Sequence, residues 1–354
     1  MDGIMLKEKA LDLLKQLIAN PSFSQEEEAT AAVIEGWFNA FDIPFKRENN
    51  NVYAFNKYFD SAKPTLLLNS HHDTVKPNSA YTRDPFEPSV EEGKLYGLGS
   101  NDAGGALVSL IATFTHFYGM QNLNHNLVLV ASAEEENSGA KGLNSMLPIL
   151  PHIDLAIVGE PTLMQLAIAE KGLVIFDGVV KGTPSHAAHP NDDNSIYNTI
   201  KVLEWFKNFS FEKVSEVLGE VKLTVTQINA GTQHNVVPAQ VDLVIDVRVN
   251  DKYSNKEIAD ILMVEAPCIL KPRSLRLNSS AIDKNHPLVL SGMAMGRTTY
   301  GSPTLSDQAV LSCQSLKMGP GDSTRSHSAD EFIYIKEIEE GIELYIKMLE
   351  RFLT

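Results

Sequence analysis

Cysteine is scarce: Cys268 and Cys313 are the only two in 354 residues. That excludes a disulfide framework and predicts a protein of the reducing cytoplasm, and it leaves any metal site to imidazoles and carboxylates. Positive charge is short as well. Lys and Arg number 30 against 45 Asp and Glu, a net charge of −15, which repels nucleic-acid phosphates and anionic lipid and argues against either as a partner. No apolar run approaches the roughly 20 residues of a membrane-spanning helix. The opening MDGIMLKEKALDLLKQL scatters charge through a helical pattern, unlike the apolar block of a signal peptide. Glycine and proline (22 and 17) and a hydrophobic content of 43% are ordinary, so neither disorder nor a fibrous repeat is expected. At roughly 150 residues per domain, the length predicts two domains.

Leu6, Leu11, Leu13, Leu14, Leu17 and Ile18 fall at helical spacing and predict a helix over 5–19, ending before Pro21. Ser24 followed by Glu27 reads as a capping box that opens a second helix, with an apolar stripe of Ala32, Ile34, Trp37 and Phe38. Short apolar runs at 52–56, 64–70, 127–133 and 155–159, with a helical stretch at 106–120 between them, predict an α/β sheet with helices on its faces. From 172 to 278 the rhythm becomes strand, helix, strand, strand, helix, strand, a βαββαβ unit. After it the α/β character returns, and the chain ends in a helix over 335–353. The expected organisation is therefore a discontinuous larger domain, 1–171 and 279–354, with residues 172–278 inserted into it.

Residues with metal-binding chemistry collect at the ends of the expected strands, where open α/β sheets place their ligands. SHHDTV at 70–75 puts His71 and Asp73 at i and i+2, on the same side of the chain, so one can ligate while the other orients it. A polar surface turn is the plainer reading of that segment alone. GLGSNDAGG at 97–105 is no dinucleotide loop, because Asp102 stands where the third glycine belongs; alone, Asp102 reads as a helix cap. Glu134, Glu135 and Glu136 follow the strand at 127–133. Such a run is usually solvated, but at a strand end it can supply both a ligand and a base, provided the strand has already ended. GEPT at 159–162 follows another apolar run, and GPGDSTRSHSADEF at 319–332 precedes the last helix. Each segment is unremarkable by itself. Together His71, Asp102, Glu136, Glu160 and His327 form two imidazoles and three carboxylates, a set that suits divalent zinc. Two zinc ions carry four positive charges, and the three carboxylates with Glu135 carry four negative ones, so the set tolerates burial.

In the order and spacing of these five motifs the chain resembles, over essentially its whole length, the co-catalytic zinc metallopeptidase and aminoacylase family that includes acetylornithine deacetylase and succinyl-diaminopimelate desuccinylase. The resemblance implies a zinc-peptidase-like catalytic domain, a mixed sheet with flanking helices, and makes the inserted unit a ferredoxin-like lid and dimerisation domain. It implies two zinc ions per subunit, with cobalt able to substitute. Asp102 would bridge them, His71 and Glu160 completing one site and Glu136 and His327 the other, with Asp73 behind His71 and Glu135 as general base. A cis peptide between Asp102 and Ala103 is implied too. Within GTPSHAAHP at 182–190, His186 corresponds to a histidine that reaches the partner subunit's site and stabilises the oxyanion; a surface turn, or a metal pair with His189, is the alternative. HNVVP and DVR make Asn235 and Arg248 candidates for holding the substrate carboxylate, which a guanidinium can grip bidentately. Leu98 and Gly104 depart from the family, which often has Arg and Lys there, and His72 reads as facing away. The implied activity is metal-assisted removal of an acyl group from the α-nitrogen of an amino acid, most like acetylornithine deacetylase of arginine biosynthesis. A succinyl-diaminopimelate desuccinylase-like enzyme and a metallodipeptidase are the alternatives within enzymes. A catalytically dead binding relative is the alternative outside them, and the presence of every ligand and the base argues against it. The implied partners are a small N-acyl amino acid and a second copy of the chain, joined through the lid.

Overall fold

In the structure, a computed structural model describing residues 3–354, the amphipathic N-terminal stretch forms α1 (Gly3–Ile18) and buries Leu6, Leu13, Leu14, Leu17 and Ile18 along one face. Met1 and Asp2, at the head of the expected span 1–171, lie outside the described residues. The second helix, α2 (Glu28–Ala40), starts later than the sequence pattern implies, because the capping box of Ser24 and Glu27 does not form. Ser24 Oγ instead donates to Asp73, while the fully buried Glu27 accepts from the amides of Gln25 and Glu134 and from Asn50 Nδ2. Distant partners replace the local cap. The helix also buries Ala31 and leaves Ala32 exposed, since Ala31 shares a face with Ile34 and Phe38 at i+3 and i+7.

Strands β1 (Phe45–Glu48), β2 (Asn51–Phe55) and β3 (Thr65–His71) follow, then the short β4 (Ser89–Glu91) and β5 (Lys94–Tyr96). Helix α3 (Gly105–Phe117) leads to β6 (Asn126–Ser132), α4 (Leu143–Met146), β7 (Leu155–Val158) and β8 (Leu166–Glu170). Next come β9 (Gly172–Lys181), β10 (Ser185–His186), α5 (Ser195–Asn208), β11 (Lys222–Ala230), β12 (Val236–Val237), β13 (Gln240–Val249), α6 (Asn255–Glu265) and β14 (Ile269–Pro272). The chain closes with β15 (Ser280–Ala281), α7 (Pro287–Met293), β16 (Thr299–Ser302), β17 (Gln314–Lys317), β18 (Phe332–Tyr334) and α8 (Ile335–Leu353). Two compact units result: one runs to Ile168 and resumes over Ala281–Tyr300 and Ser306–Thr354, and the other comprises Ala169–Ser280 with Gly301–Leu305.

The first unit is organised by a mixed sheet ordered β1-β2-β6-β3-β7-β17-β8-β15, with β16 on β8. Its centre is parallel, β3 lying between β6 and β7, whereas β2 runs antiparallel to β6. Every residue of β3 and β6 is buried, as continuous apolar runs require when helices cover both faces. Leu66 and Leu68 point into a large core with Leu14, Phe114, Ile342 and Tyr345. Leu67, with Val128 and Val130, points the other way toward Met146. By the same alternation Asn69 and His71 lie on the Leu67 face.

In the second unit, β9, β11, β13 and β14 form an antiparallel sheet ordered β11-β13-β9-β14, the ferredoxin-like arrangement of a βαββαβ unit. Phe176 and Ile245 pack with Val202 and Phe206 of α5 and Ile258 and Leu262 of α6. Both helices are capped locally: Asn194 accepts from Ile196 N, and Ser254 with Glu257 makes a complete capping box. Among the described residues no helix is long and apolar enough to cross a membrane.

Candidate metal centre

The parallel strands β3, β6 and β7 end side by side, with His71 opposite Ser132 and Asn69 opposite Val158. His71, the last residue of β3, is 1% exposed. Its Nδ1–H donates to the Asp73 carbonyl at 3.0 Å, and because a carbonyl only accepts, the neutral ring carries its lone pair on Nε2, where a metal can take it. That Nε2 faces Asp102 Oδ1 at 3.4 Å, Glu160 Oε1 at 3.8 Å and Glu135 Oε2 at 3.9 Å. Strand β6 ends at Ser132, and Glu134 turns the chain with φ of 55°. Strand alternation therefore no longer separates Glu135 from Glu136. The Asp73 carboxylate accepts from the amides of Glu135 and Glu136 at 3.0 and 3.1 Å and from Ser24 Oγ at 2.7 Å; besides backing His71, it holds the glutamate turn. His72 faces away, bonded to Thr30 Oγ1 and the Asn50 carbonyl.

Asp102 sits in an irregular turn that includes a cis peptide to Ala103, and it caps no helix. Its two oxygens look in different directions. Oδ1 faces His71, while Oδ2 lies 3.6 Å from Nε2 of His327, which is itself 3.1 Å from Glu136 Oε2. One cluster thus comprises His71, Glu160 and Oδ1, and a second comprises His327, Glu136 and Oδ2. Ligand atoms of His71, Asp102 and Glu136 lie within 4.8 Å of one another. The two halves differ in access, the His327 side chain being 54% exposed against 1% for His71. The turn is tightly packed: a Cβ on Gly104 would come 2.4 Å from the Gly99 carbonyl oxygen, so a side chain there would require the backbone to shift, and Leu98 is buried.

Electrostatics give this packing its chemical meaning. Burial alone would push the His71 pKa down, but its bonds to Asp102 and Asp73 and the charges of Glu135 and Glu160 raise it well above the ordinary value. His327 is raised to about 9, chiefly by its bond to Glu136. Glu135 is lifted well above the carboxylate range by burial and by Glu160, Asp307 and Glu136. Buried carboxylates crowd together only if cations compensate them, and two imidazoles with carboxylate oxygens are a donor set that divalent metals take.

Two further carboxylates line this cleft: Asp307, which lies in no sequence motif, and Glu331, which lies within the segment GPGDSTRSHSADEF but has no role of its own in the sequence reading. Asp307 accepts from Ser132 Oγ at 2.5 Å, and burial raises its pKa to about 6. Glu331 is 1% exposed, accepts from the amides of Asn101 and Asp102 at 2.8 and 3.0 Å, and is raised to about 8 by burial and the Asp102 charge. Asp307 stands at no strand end, and Glu331 precedes a strand, β18, where the other site residues follow one.

His186, Asn235 and Arg248 belong to the second unit. β10 pairs with β12, His186 lying opposite Val236, and Ala187 N donates to the Asn235 carbonyl at 3.0 Å, so His186 and Asn235 share one exposed ribbon. His186 Nδ1 accepts from Ala188 N at 3.1 Å, which puts the proton of the neutral ring on Nε2. The His189 ring lies edge-on, 5.7 Å away between centroids. Arg248, on β13, gives Nε and Nη2 to Asp246 at 2.9 and 3.1 Å, so the bidentate edge of its guanidinium is occupied within its own strand.

Residues 67–351 match the model of peptidase family M20/M25/M40. An acetylornithine deacetylase of Proteus mirabilis (strain HI4320) is 28% identical over 97% of this chain and 96% of its own. A succinyl-diaminopimelate desuccinylase of Helicobacter pylori (strain Shi470) is 26% identical over 96% and 98%. Among solved structures, the M20 family metallo-carboxypeptidase Sso-CP2 from Sulfolobus solfataricus superposes with a TM-score of 0.73 at 17% identity, covering 97% of this chain and 98% of its own. Aminopeptidase PepT from Bacillus cereus gives 0.75 at 15% identity, covering 98% of each chain. At these identities the structural likeness speaks for the fold.

Proposed function

The chain belongs to peptidase family M20/M25/M40, and from that premise we propose that this metal-dependent amidohydrolase removes the acyl group from an N-acyl amino acid, in the manner of an acetylornithine deacetylase acting in arginine biosynthesis. The observation that carries the site is the splayed Asp102 carboxylate, each oxygen turned to its own histidine and glutamate. His71 and Glu160 would hold one ion, Glu136 and His327 the other, and Asp102 both. Two zinc ions so held, or cobalt in their place, would acidify a water and polarise the scissile carbonyl.

The chain's own groups do the rest. Glu135 is free of backbone duties at its carboxylate and lies in the cleft, so it accepts the water's proton and returns it to the leaving amine. Its raised pKa is the direction needed to keep that proton between the two transfers. Asp73 fixes the His71 tautomer and the glutamate turn together. His186, with its proton on Nε2, is a donor for the oxyanion. Asn235, on the same ribbon, and Arg248, through the donors left over from Asp246, are assigned to the substrate carboxylate.

We assign residues 172–278 as lid and dimerisation domain and 1–171 with 279–354 as catalytic domain. The dimer reading is supported by α5, which exposes Ile196, Tyr197, Ile200 and Leu203 along one side, and by β11, an edge strand whose residues are largely exposed. An apolar helix face beside an open sheet edge is what a second copy would cover. In that dimer His186 serves the partner's site. A cytoplasmic location is part of the same proposal, and the paucity of cysteine supports it.

The test is amine release from a panel of N-acetyl and N-succinyl derivatives of ornithine, citrulline, lysine and diaminopimelate, with dipeptides alongside. Turnover of an N-acyl amino acid at a kcat/KM well above that of any dipeptide is expected, and the acyl arm separates acetyl from succinyl. Cleavage of dipeptides alone would make the enzyme a metallodipeptidase.

A further inference from the structure

We infer that Glu331 is a positioning residue for the bridging carboxylate, tying the turn that carries Asp102 to the segment that carries His327. This rests on the two-metal reading of the site. Glu331 follows His327 by four residues and stands immediately before β18 (Phe332–Tyr334). Its Oε1 accepts from two successive amides, Asn101 N at 2.8 Å and Asp102 N at 3.0 Å. Its own carbonyl accepts from Gly97 N at 3.0 Å. The tie is returned from the other side, where Asn101 Nδ2 donates to the Asp322 carbonyl at 3.0 Å and Asn101 Oδ1 accepts from Asp322 N at 3.0 Å. The two segments that bring Asp102 and His327 to the cleft are therefore stitched together without any bond through a metal.

A carboxylate is an unfavourable thing to bury beside Asp102, since like charges in a low dielectric repel. What Glu331 supplies in return is an acceptor for two N–H groups, that of the buried Asn101 and that of the partly buried Asp102. One of those amides belongs to Asp102 itself, so the bond fixes the backbone from which both Asp102 oxygens are aimed. Asp102 has no helix-cap bond to hold it, and its oxygens already face separate partners. The Glu331 carboxylate is bonded to backbone amides and not to the side chains assigned to the metals, so its effect passes through the Asp102 amide.

The experiment is calorimetric titration of zinc into chelator-stripped full-length protein, repeated with cobalt(II), whose visible absorption reports ligand geometry. Three variants separate the reach of the acceptor from the identity of the group that carries it. Glu331→Gln keeps an oxygen acceptor at the same reach and should bind metal close to wild type with an unchanged cobalt spectrum. Glu331→Asp keeps the carboxyl group but withdraws the acceptor by one methylene, and Glu331→Ala removes it. Both should lose affinity by about 10- to 100-fold, the usual cost of removing an outer partner of a metal ligand, with an altered cobalt spectrum. If the alanine variant does not fold, the Gln and Asp pair still decides. Wild-type affinity and spectrum in the Asp variant, or loss in Gln with retention in Asp, would overturn the inference while leaving the two-metal reading intact. A wild-type chain that binds neither metal would overturn both.

Discussion

Replacing Glu135 by alanine is expected to leave both ions in place while the rate collapses. The loss of the Glu135 carboxylate does not release the turn, because the Glu135 and Glu136 amides remain anchored on Asp73 at 3.0 and 3.1 Å. Ligand positions should therefore persist. What disappears is a positioned proton acceptor, which contributes typically about 10² to 10⁴ in rate, or roughly 2.7 to 5.4 kcal/mol of barrier at about 1.36 kcal/mol per decade. Stability should move the other way. Glu135 is raised well above the carboxylate range in the fold, so at neutral pH its ionised form is disfavoured by folding, and the metal-free variant should melt no lower than wild type. The assay pairs kcat from amine release at saturating substrate with elemental analysis of the same sample. Loss of metal, or a kcat close to wild type, would show that base and ligand had been exchanged between Glu135 and Glu136.

His327→Ala should retain one ion per chain, because the buried half built on His71 does not depend on it; two tightly bound ions would refute the division of ligands. In the metal-free protein His327 is raised from 6.5 to about 9 by Glu136, so its contribution to stability is fully present below pH 6.5 and fades as pH rises through about 9. Loading metal at pH 8 must expel that proton, and calorimetry in buffers of different ionisation enthalpy should register about one proton released that is missing in His327→Ala. An equal release in both proteins would contradict the assignment. Mixing inactive Glu135→Ala with inactive His186→Ala should restore roughly a quarter of wild-type activity, since half the dimers are mixed and each has one intact site. No recovery, with mixed dimers demonstrated by mass spectrometry, would mean that His186 acts within its own chain or not at all.

The layered fold was legible because its signals are local. Buried strands such as 65–71 and 126–132 are continuous apolar runs, and the βαββαβ rhythm after residue 171 shows in spacing alone. The gathering of His71, Asp102, Glu135, Glu136, Glu160 and His327 could be read because each follows a strand or a glycine-rich turn, and parallel strands bring their ends together. Features made by contacts between distant segments were not legible. Ser24 and Glu27 have the spacing of a capping box, yet their partners are Asp73, Asn50 and the Glu134 amide. Asp307 and Glu331 act on residues 175 and 229 positions away, and no periodicity marks either. Arg248 reads as a free guanidinium until Asp246, two residues back on the same face of β13, is seen to hold it.

Two ions astride Asp102 are tested most directly by diffraction from zinc-loaded crystals at the zinc absorption edge. Two anomalous peaks are predicted, each about 2.0 to 2.2 Å from one Asp102 carboxylate oxygen, one also beside His71 and Glu160 and the other beside Glu136 and His327. A single peak, or a pair that does not share Asp102, would contradict the account.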